Sequence, residues 1–303
     1  MRILITGANG FIGSNLARYL VNRGYTVYAL VRPTSDITTL DPVCDKIEIL
    51  KVTNSFLSIE GAVRKANPDV IVHLAALSVL NHNSFQVEEL VKSNILFPTF
   101  LVEAMVRNKK FNLINTSTFW ECLKRQGEYN PCNLYAATKF SFEQILRYYE
   151  DAHNLKTITL KLYGTYGPYD RRHKIFFYLK NSLNSKTPIL FSPGRQKLDL
   201  VYIDDIVRVY EKAIRYISNK FKDNAETFMI GTGNALELRK IAQIYEECSK
   251  GKLNIKWGGL PYRDREIMVC RANIKKAKER LKWQPHFDLR KGIQKLLREE
   301  SAR

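Results

Sequence analysis

Apolar and polar positions follow two different periods along the first half of the chain. Six short runs rich in β-branched and aliphatic residues read as strands: Arg2–Thr6, Thr26–Val31, Lys46–Val52, Asp69–Ala75, Phe111–Thr116 and Thr157–Tyr163. Between them, Phe11–Arg23, Leu57–Ala66, Val87–Arg107 and Tyr135–His153 carry apolar residues at helical spacing. Strand then helix, repeated, predicts a doubly wound parallel sheet with helices on both faces, and such sheets bind ligands beyond the carboxyl ends of their strands. After Gly167-Pro168 the rhythm loosens. A helix is predicted over Arg172–Asn184, strands over Pro188–Phe191 and Leu198–Tyr202, and helices over Asp204–Tyr216, Leu236–Ser249, Ile274–Leu281 and Leu289–Glu300. The expected architecture is α/β, with a parallel-sheet domain over residues 1–165 and a smaller mixed α/β lobe over residues 166–303. No low-complexity linker separates the two, so they should pack around a cleft, with room to interleave.

Composition changes this picture little. A chain of 303 residues, 45% of them hydrophobic, can bury a sizeable core. No apolar run is long enough to span a bilayer, and the first strand runs into a glycine loop rather than a secretory signal, so a cytoplasmic location is expected. The five cysteines are odd in number and widely spaced, without a CxxC pair, and the five histidines show no HExxH spacing. Free thiols and no metal site are expected. The formal net charge of +18 is more than a diphosphate ligand needs and raises the question of a polyanionic partner. The basic residues are nevertheless spread along the chain, and the densest run, Lys275, Lys276, Lys278, Arg280 and Lys282, reads as the solvated face of a helix. No nucleic-acid partner is expected.

The first strand is followed by Gly7-Ala8-Asn9-Gly10-Phe11-Ile12-Gly13, which opens the first helix. In that position glycines allow a tight turn and let backbone approach a pyrophosphate, whose charge the unpaired N–H groups of a helix start stabilise. The loop therefore predicts a dinucleotide site. The second strand ends in Val31-Arg32, where an acid that binds the adenosine ribose would favour NAD. An apolar residue followed by a guanidinium suits the extra phosphate of NADP better, so NADP is preferred over NAD, which stays open.

Tyr135 and Lys139 are four residues apart at the start of an amphipathic helix, which puts both on one face. A phenol titrates near about 10 in water, and a neighbouring ammonium is expected to lower that value toward the range of acid–base work. The helix follows a strand that ends in Asn115-Thr116-Ser117-Thr118.

Other motifs recur in order: His73-Leu74-Ala75-Ala76 after the fourth strand, Asn94 in the long helix, Tyr166-Gly167-Pro168, Asp199-Leu200-Val201-Tyr202-Ile203-Asp204-Asp205, Ile230-Gly231-Thr232-Gly233 and Leu281-Lys282-Trp283-Gln284-Pro285. Together with the glycine loop and the Tyr–Lys pair they make the chain resemble the extended short-chain dehydrogenase/reductases from residue 1 to nearly its end. Within that family it is most similar to the nucleotide-sugar reductases and epimerases, especially the CDP-abequose/CDP-paratose synthase-like 4-ketoreductases.

The resemblance implies a Rossmann domain that holds NAD(P) on Gly7, Asn9, Gly10, Phe11, Ile12 and Gly13, on Leu74, Ala75, Ala76 and Asn94, and on Tyr135 and Lys139. Tyr135 would exchange a proton with a sugar oxygen, Lys139 would hold the nicotinamide ribose, and a strand hydroxyl would orient the substrate. Aligning Trp120 with the family's tyrosine makes that hydroxyl Thr116; a shifted register would make it Ser117 or Thr118. Ser78, Ser117, Thr118 and Tyr202 are further substrate candidates. The chain departs from the family at Lys51, Gly164 and Leu198, where an acid, an asparagine and an arginine are usual. The diphosphate contacts should therefore have moved, with Lys197, Arg263 and Arg265 as candidates. The resemblance also implies a homodimer through Val87–Arg107 and Tyr135–His153, whose apolar residues include Leu90, Ile95, Phe97, Leu101, Phe140, Ile145 and Leu146.

Within the family, dehydratases carry Asp-Glu after the catalytic threonine, where Ser117-Thr118 stand here. The glutamate of the decarboxylases is missing at Thr118, and the cysteine of the epimerase–reductases is missing from that strand end; Cys132 reads as a loop residue. Two reactions remain for a nucleotide-linked sugar: reduction of a 4-keto-6-deoxy sugar by NAD(P)H, and 4-epimerisation with tightly held NAD. Val31-Arg32 favours the reduction. A reading of another class, a non-catalytic RNA-binding or assembly protein on the same fold, is opposed by the intact Tyr135–Lys139 pair.

Overall fold

Residues 1–123, 128–219, 221 and 223–301 are described by the computed structural model of the chain. The buried aliphatic run of β1 (Arg2–Thr6) leads through the glycine loop into α1 (Phe11–Asn22), followed by β2 (Thr26–Val31), β3 (Ile47–Lys51), α2 (Phe56–Ala66) and β4 (Val70–His73). Ser55 sets the start of α2 by accepting a hydrogen bond from the Ser58 amide at 3.3 Å. The single long helix expected over Val87–Arg107 is two, α3 (Val87–Val91) and α4 (Phe97–Arg107), joined by a π turn over Lys92–Leu96. Pro98 has no N–H for the carbonyl of Asn94, four residues back, and the wider turn accommodates the missing bond. β5 (Asn112–Thr118), α5 (Leu134–His153) and β6 (Lys156–Leu162) complete this half, with Asn133 capping α5 through the Ala136 amide at 2.9 Å.

The second half contains β7 (Gly164–Tyr166), α6 (Ile175–Leu183), β8 (Ile189–Phe191), β9 (Lys197–Leu198), β10 (Leu200–Tyr202), α7 (Ile203–Asn219) and β11 (Ala225–Ile230). It ends with β12 (Leu236–Glu237), α8 (Leu238–Ser249), β13 (Ile255–Trp257), α9 (Lys275–Arg280) and α10 (Leu289–Ser301). The main sheet has seven parallel strands in the order β11-β6-β5-β4-β1-β2-β3. Its last strand, β11, comes from the second half of the chain, and α7 packs beside α1 on the same sheet face. Sequence patterning did not reveal β11 because Glu226 interrupts its apolar run; in the structure that carboxylate is buried against Lys276 (3.2 Å) and Arg280 (2.7 Å) of α9. The strand expected over Leu198–Tyr202 divides into β9, antiparallel to β12, and β10, parallel to β7. Asp199 stands at the break, fully buried, and accepts bonds from the amides of Thr232 (2.6 Å), Gly233 (2.9 Å) and Ala272 (3.0 Å).

One apolar core lies between the sheet and α1 and α7, and a second between the sheet and α2, α4 and α5. Strand order reverses between β1 and β4, so the ligand crevice of this architecture opens at the carboxyl ends of those two strands. Of the apolar residues proposed for a dimer face, Leu90, Phe97, Leu101 and Leu146 belong to the chain's own core, whereas Val87, Val91, Leu96 and Tyr148 are exposed nearby. No helix among the described residues is long and apolar enough to cross a membrane.

Candidate active site

The loops after β1 and β4 meet at the strand-order reversal, and only small residues allow it. A Cβ on Gly7, which has φ +67°, would lie 2.7 Å from the Ala75 nitrogen, and one on Gly13 would lie 2.2 Å from the Gly7 carbonyl oxygen. Gly10 caps α1 without a side-chain bond, and the first turn carries no acid, so its amides remain available to an anion. Thr6 Oγ1 accepts from the Leu74 and Ala75 amides at 3.2 Å each and pairs with Nδ1 of buried His73 at 2.8 Å, which fixes the second loop. Burial, with Lys139 adding to it, holds His73 well below the usual histidine range and hence neutral. The glycine loop and helix start thus fit a dinucleotide pyrophosphate.

The other cofactor candidates divide by what already engages them. Phe11 lies under the guanidinium of Arg172, 4.5 Å from its ring centroid, Ile12 packs on the core, and Ala76 is exposed on the loop after β4. Asn9 donates to the Asp36 carbonyl at 3.0 Å, tying the glycine loop to the segment after β2. Arg32 is exposed on that segment, with no side-chain partner among the described residues. Asp36, four residues on, is committed to Thr38 and Arg171, whose bonds hold its carboxyl down at about 2. Asn94 is buried in the π turn. It accepts from the Leu77 amide (2.8 Å) and donates to the Leu77 carbonyl and to Thr138 Oγ1 (3.0 Å each), so it joins the loop after β4 to α5.

Tyr135 and Lys139 lie on the inner face of α5. Burial pushes the Tyr135 phenol up to about 12; Ser78 opposes this through a side-chain hydrogen bond, Glu121 adds to it and Arg172 opposes it. The lowering expected from Lys139 is therefore overturned: Lys139 is not among the groups that shift the phenol, and the cost of a buried phenolate raises it. Burial also pulls the Lys139 ammonium down to about 8 against the charges of Glu143 and Glu121, and it makes no hydrogen bond among the described residues. The three strand hydroxyls are separated by their partners. Thr116 Oγ1 lies 2.7 Å from the buried Tyr210 hydroxyl of α7, Ser117 donates to Glu121, and Thr118 accepts from the Trp120 amide at 3.3 Å. Tyr210 also feels the charge of Tyr135, so α7 reaches the site, which no sequence motif indicated.

The cations fall into two groups. Arg172 forks onto Asp170 (2.6 and 2.7 Å) over Phe11, and beside it burial and the Arg172 charge bring Lys174 down to about 8. Two cations and one acid leave unbalanced positive charge between the glycine loop and Tyr135. The helix expected from Arg172 begins at Ile175 instead, which leaves Arg172 and Lys174 on the loop before it. Arg265 reaches the Pro131 carbonyl (2.9 Å) and Asn130 in the segment leading to α5, and exposed Arg263 lies 4.0 Å from Glu266. Lys197 is exposed on β9. Tyr202 is not at the cleft: it is 1% exposed, donates to Glu299 at 3.1 Å and packs on Phe287 in the smaller lobe. Gly164 has its reason in Leu200, whose Cδ2 would lie 2.5 Å from a Cβ there. Cys132 is pushed up to about 11 by burial, so it remains a thiol. No group of three metal-ligating side chains occurs among the described residues.

Comparison with known proteins agrees with this fold. Over its full length the fold matches UDP-glucose 4-epimerase from Thermotoga maritima with UDP-glucose, at a TM-score of 0.87 and 22% identity, covering 100% of both chains. UDP-glucose 4-epimerase from Thermus thermophilus in complex with NAD gives a TM-score of 0.83 at 23% identity, covering 98% of each chain. In sequence the chain is 31% identical to CDP-abequose synthase of Salmonella muenchen over 300 residues, which is 98% of this chain and 97% of that protein. Residues 3–231 match the family described as NAD dependent epimerase/dehydratase. The chain belongs to that family, and with it to the extended short-chain dehydrogenase/reductases.

Proposed function

We propose that the chain reduces the 4-keto group of a nucleotide-linked 4-keto-6-deoxy sugar, with Tyr135 as proton donor. The observation that carries this reading is the pairing on one helix face of a phenol kept protonated by burial and a buried ammonium without a hydrogen-bond partner among the described residues. When bound, NADPH supplies the hydride. Tyr135 gives its proton to the oxygen that becomes the hydroxyl, and Lys139 holds the nicotinamide ribose and steadies the phenolate left behind. With Tyr210 as the donor of their hydrogen bond, Thr116 keeps its own proton to donate to the substrate oxygen, whereas Ser117 gives its proton to Glu121 and Thr118 is tied to the Trp120 amide. Arg172 and Lys174 hold the substrate diphosphate, with Arg263 and Arg265 closing the cleft from the smaller lobe. The CDP-abequose synthase relative favours a CDP-linked sugar. One NADPH oxidised per sugar reduced supports the reading; a 4-epimer formed with no NADPH consumed gives the assignment to an epimerase.

Arg32 makes NADPH the preferred cofactor. Its exposed guanidinium, without a side-chain partner among the described residues, follows Val31, and the nearest acid of that segment, Asp36, is occupied. NADPH should bind more tightly than NADH, and Arg32→Ala should shrink the gap about tenfold or more, the size of one charge-assisted contact to phosphate. Calorimetric titration of both cofactors checks this; equal affinities in the parent protein contradict it. The exposed Val87, Val91, Leu96 and Tyr148 support a homodimer through α3, the π turn and α5. Light scattering at micromolar concentration should give twice the chain mass, and a monomer mass refutes the dimer.

A further inference from the structure

Beneath the segment that follows β5 lies a buried ionic cluster with no part in the reaction as described. Glu121, 2% exposed, accepts hydrogen bonds from Ser117 Oγ on β5 and Lys161 Nζ on β6. Lys161 also reaches Glu143 Oε2 at 3.1 Å, while Glu143 Oε1 is buried without a hydrogen-bond partner among the described residues. Glu143 lies one turn beyond Lys139, which lies one turn beyond Tyr135, so the cluster continues the reactive face of α5. Removing this many charges from water is costly, and apolar side chains of similar size would serve stability at least as well.

We propose that Glu121, held by Ser117 and Lys161, is a positioning residue: with Glu143 it balances the buried ammonium of Lys139 and keeps it charged for the nicotinamide ribose. This rests on the assignment of Lys139 made above. Glu121 faces Ser117 from β5, Lys161 from β6, Glu143, Lys139 and Tyr135 from α5, and Tyr129 from the segment leading to α5. His73 of β4 faces Lys139 and is neutral. Burial pushes Glu121 up to about 7, with Glu143 adding and Lys161 and Ser117 opposing. Burial thus opposes the charge of both groups, raising Glu121 and lowering Lys139, so the full charge balance is confined to a neutral window that acid closes at Glu121 and alkali at Lys139.

The test is NADPH affinity as a function of pH, which needs no turnover. The difference between variant and parent profiles cancels the titration of the cofactor's own phosphate. Glu121→Gln keeps the shape and removes the charge. Lys139 then loses its proton more readily, and the alkaline fall in affinity moves to lower pH by on the order of half a unit or more. The inflection belonging to Glu121 disappears. Ser117→Ala removes one donor and leaves the charge, so Glu121 keeps its proton to higher pH and its inflection moves up. A Glu121→Gln profile superimposed on the parent's overturns the proposal. If circular dichroism shows that this variant is unfolded, Ser117→Ala decides alone, and an unmoved inflection overturns the proposal. A parent protein that binds no NADPH at any pH overturns the cofactor assignment itself, a different result from a parent that binds with unmoved variants.

Discussion

Tyr135→Phe is expected to lower turnover by about 10²–10⁴-fold, the range typical of losing general acid–base catalysis, while NADPH affinity stays close to that of the parent. The substitution removes one oxygen from a half-buried ring and leaves its packing, including the edge contact with Trp120 at 6.1 Å between centroids. The phenol's proton is the specific loss. Because burial holds the phenol up at about 12, Tyr135 stays protonated across the neutral range, the state a donor to a forming alkoxide requires. Activity should therefore show no alkaline limb from Tyr135 itself, and a fall near pH 8 belongs to the ammonium groups of Lys139 and Lys174. Steady-state rates and cofactor titration on the same preparation check this. Undiminished turnover in Tyr135→Phe contradicts the mechanism.

Lys139→Met should damage turnover and cofactor affinity together. Methionine nearly conserves the volume of a side chain that is 2% exposed, whereas alanine would add the cost of a cavity. The lost group is an ammonium assigned both to the nicotinamide ribose and to the phenolate of Tyr135. Losing a charge-assisted hydrogen bond of about 1.5–3 kcal/mol weakens NADPH binding about 10–100-fold. Turnover should fall further, by on the order of 10²-fold at saturating cofactor. Removing this buried charge should leave the protein folded. Thermal unfolding of the variant, measured beside its kinetics, separates the two effects. A variant with normal NADPH affinity shows that Lys139 does not hold the ribose.

The pair proposed to react, Tyr135 and Lys139, was legible as a pair because its geometry is local: four-residue spacing on one helix, after a strand ending in hydroxyls. The glycine loop was legible for the same reason, and α1 begins at Phe11 as expected. What the sequence hid was set by distant contacts. Glu226 made β11 look polar because its cationic partners on α9 lie some fifty residues later in the chain. Asp199 divided an apolar run into two strands because its carboxylate organises backbone from two other segments. Arg172 and Lys174 looked like helix residues, and only the packing of Arg172 on Phe11 and its fork with Asp170 bring their charge beside the glycine loop. Tyr202 misled in the opposite direction: its place in a family motif suggested a ligand contact, and the structure buries it against α10. The direction of the Tyr135 shift was also missed, because burial is a tertiary property that spacing along a helix does not report.

The central claim is a net hydride transfer to a ketone, and labelled cofactor tests it most directly. The protein is incubated with a CDP-linked 4-keto-6-deoxy sugar and NADPH deuterated stereospecifically at nicotinamide C4, each epimer in turn. The account predicts that one epimer passes its label to C4 of the sugar, with one NADP released per sugar converted. Unlabelled product formed without net oxidation of NADPH contradicts it.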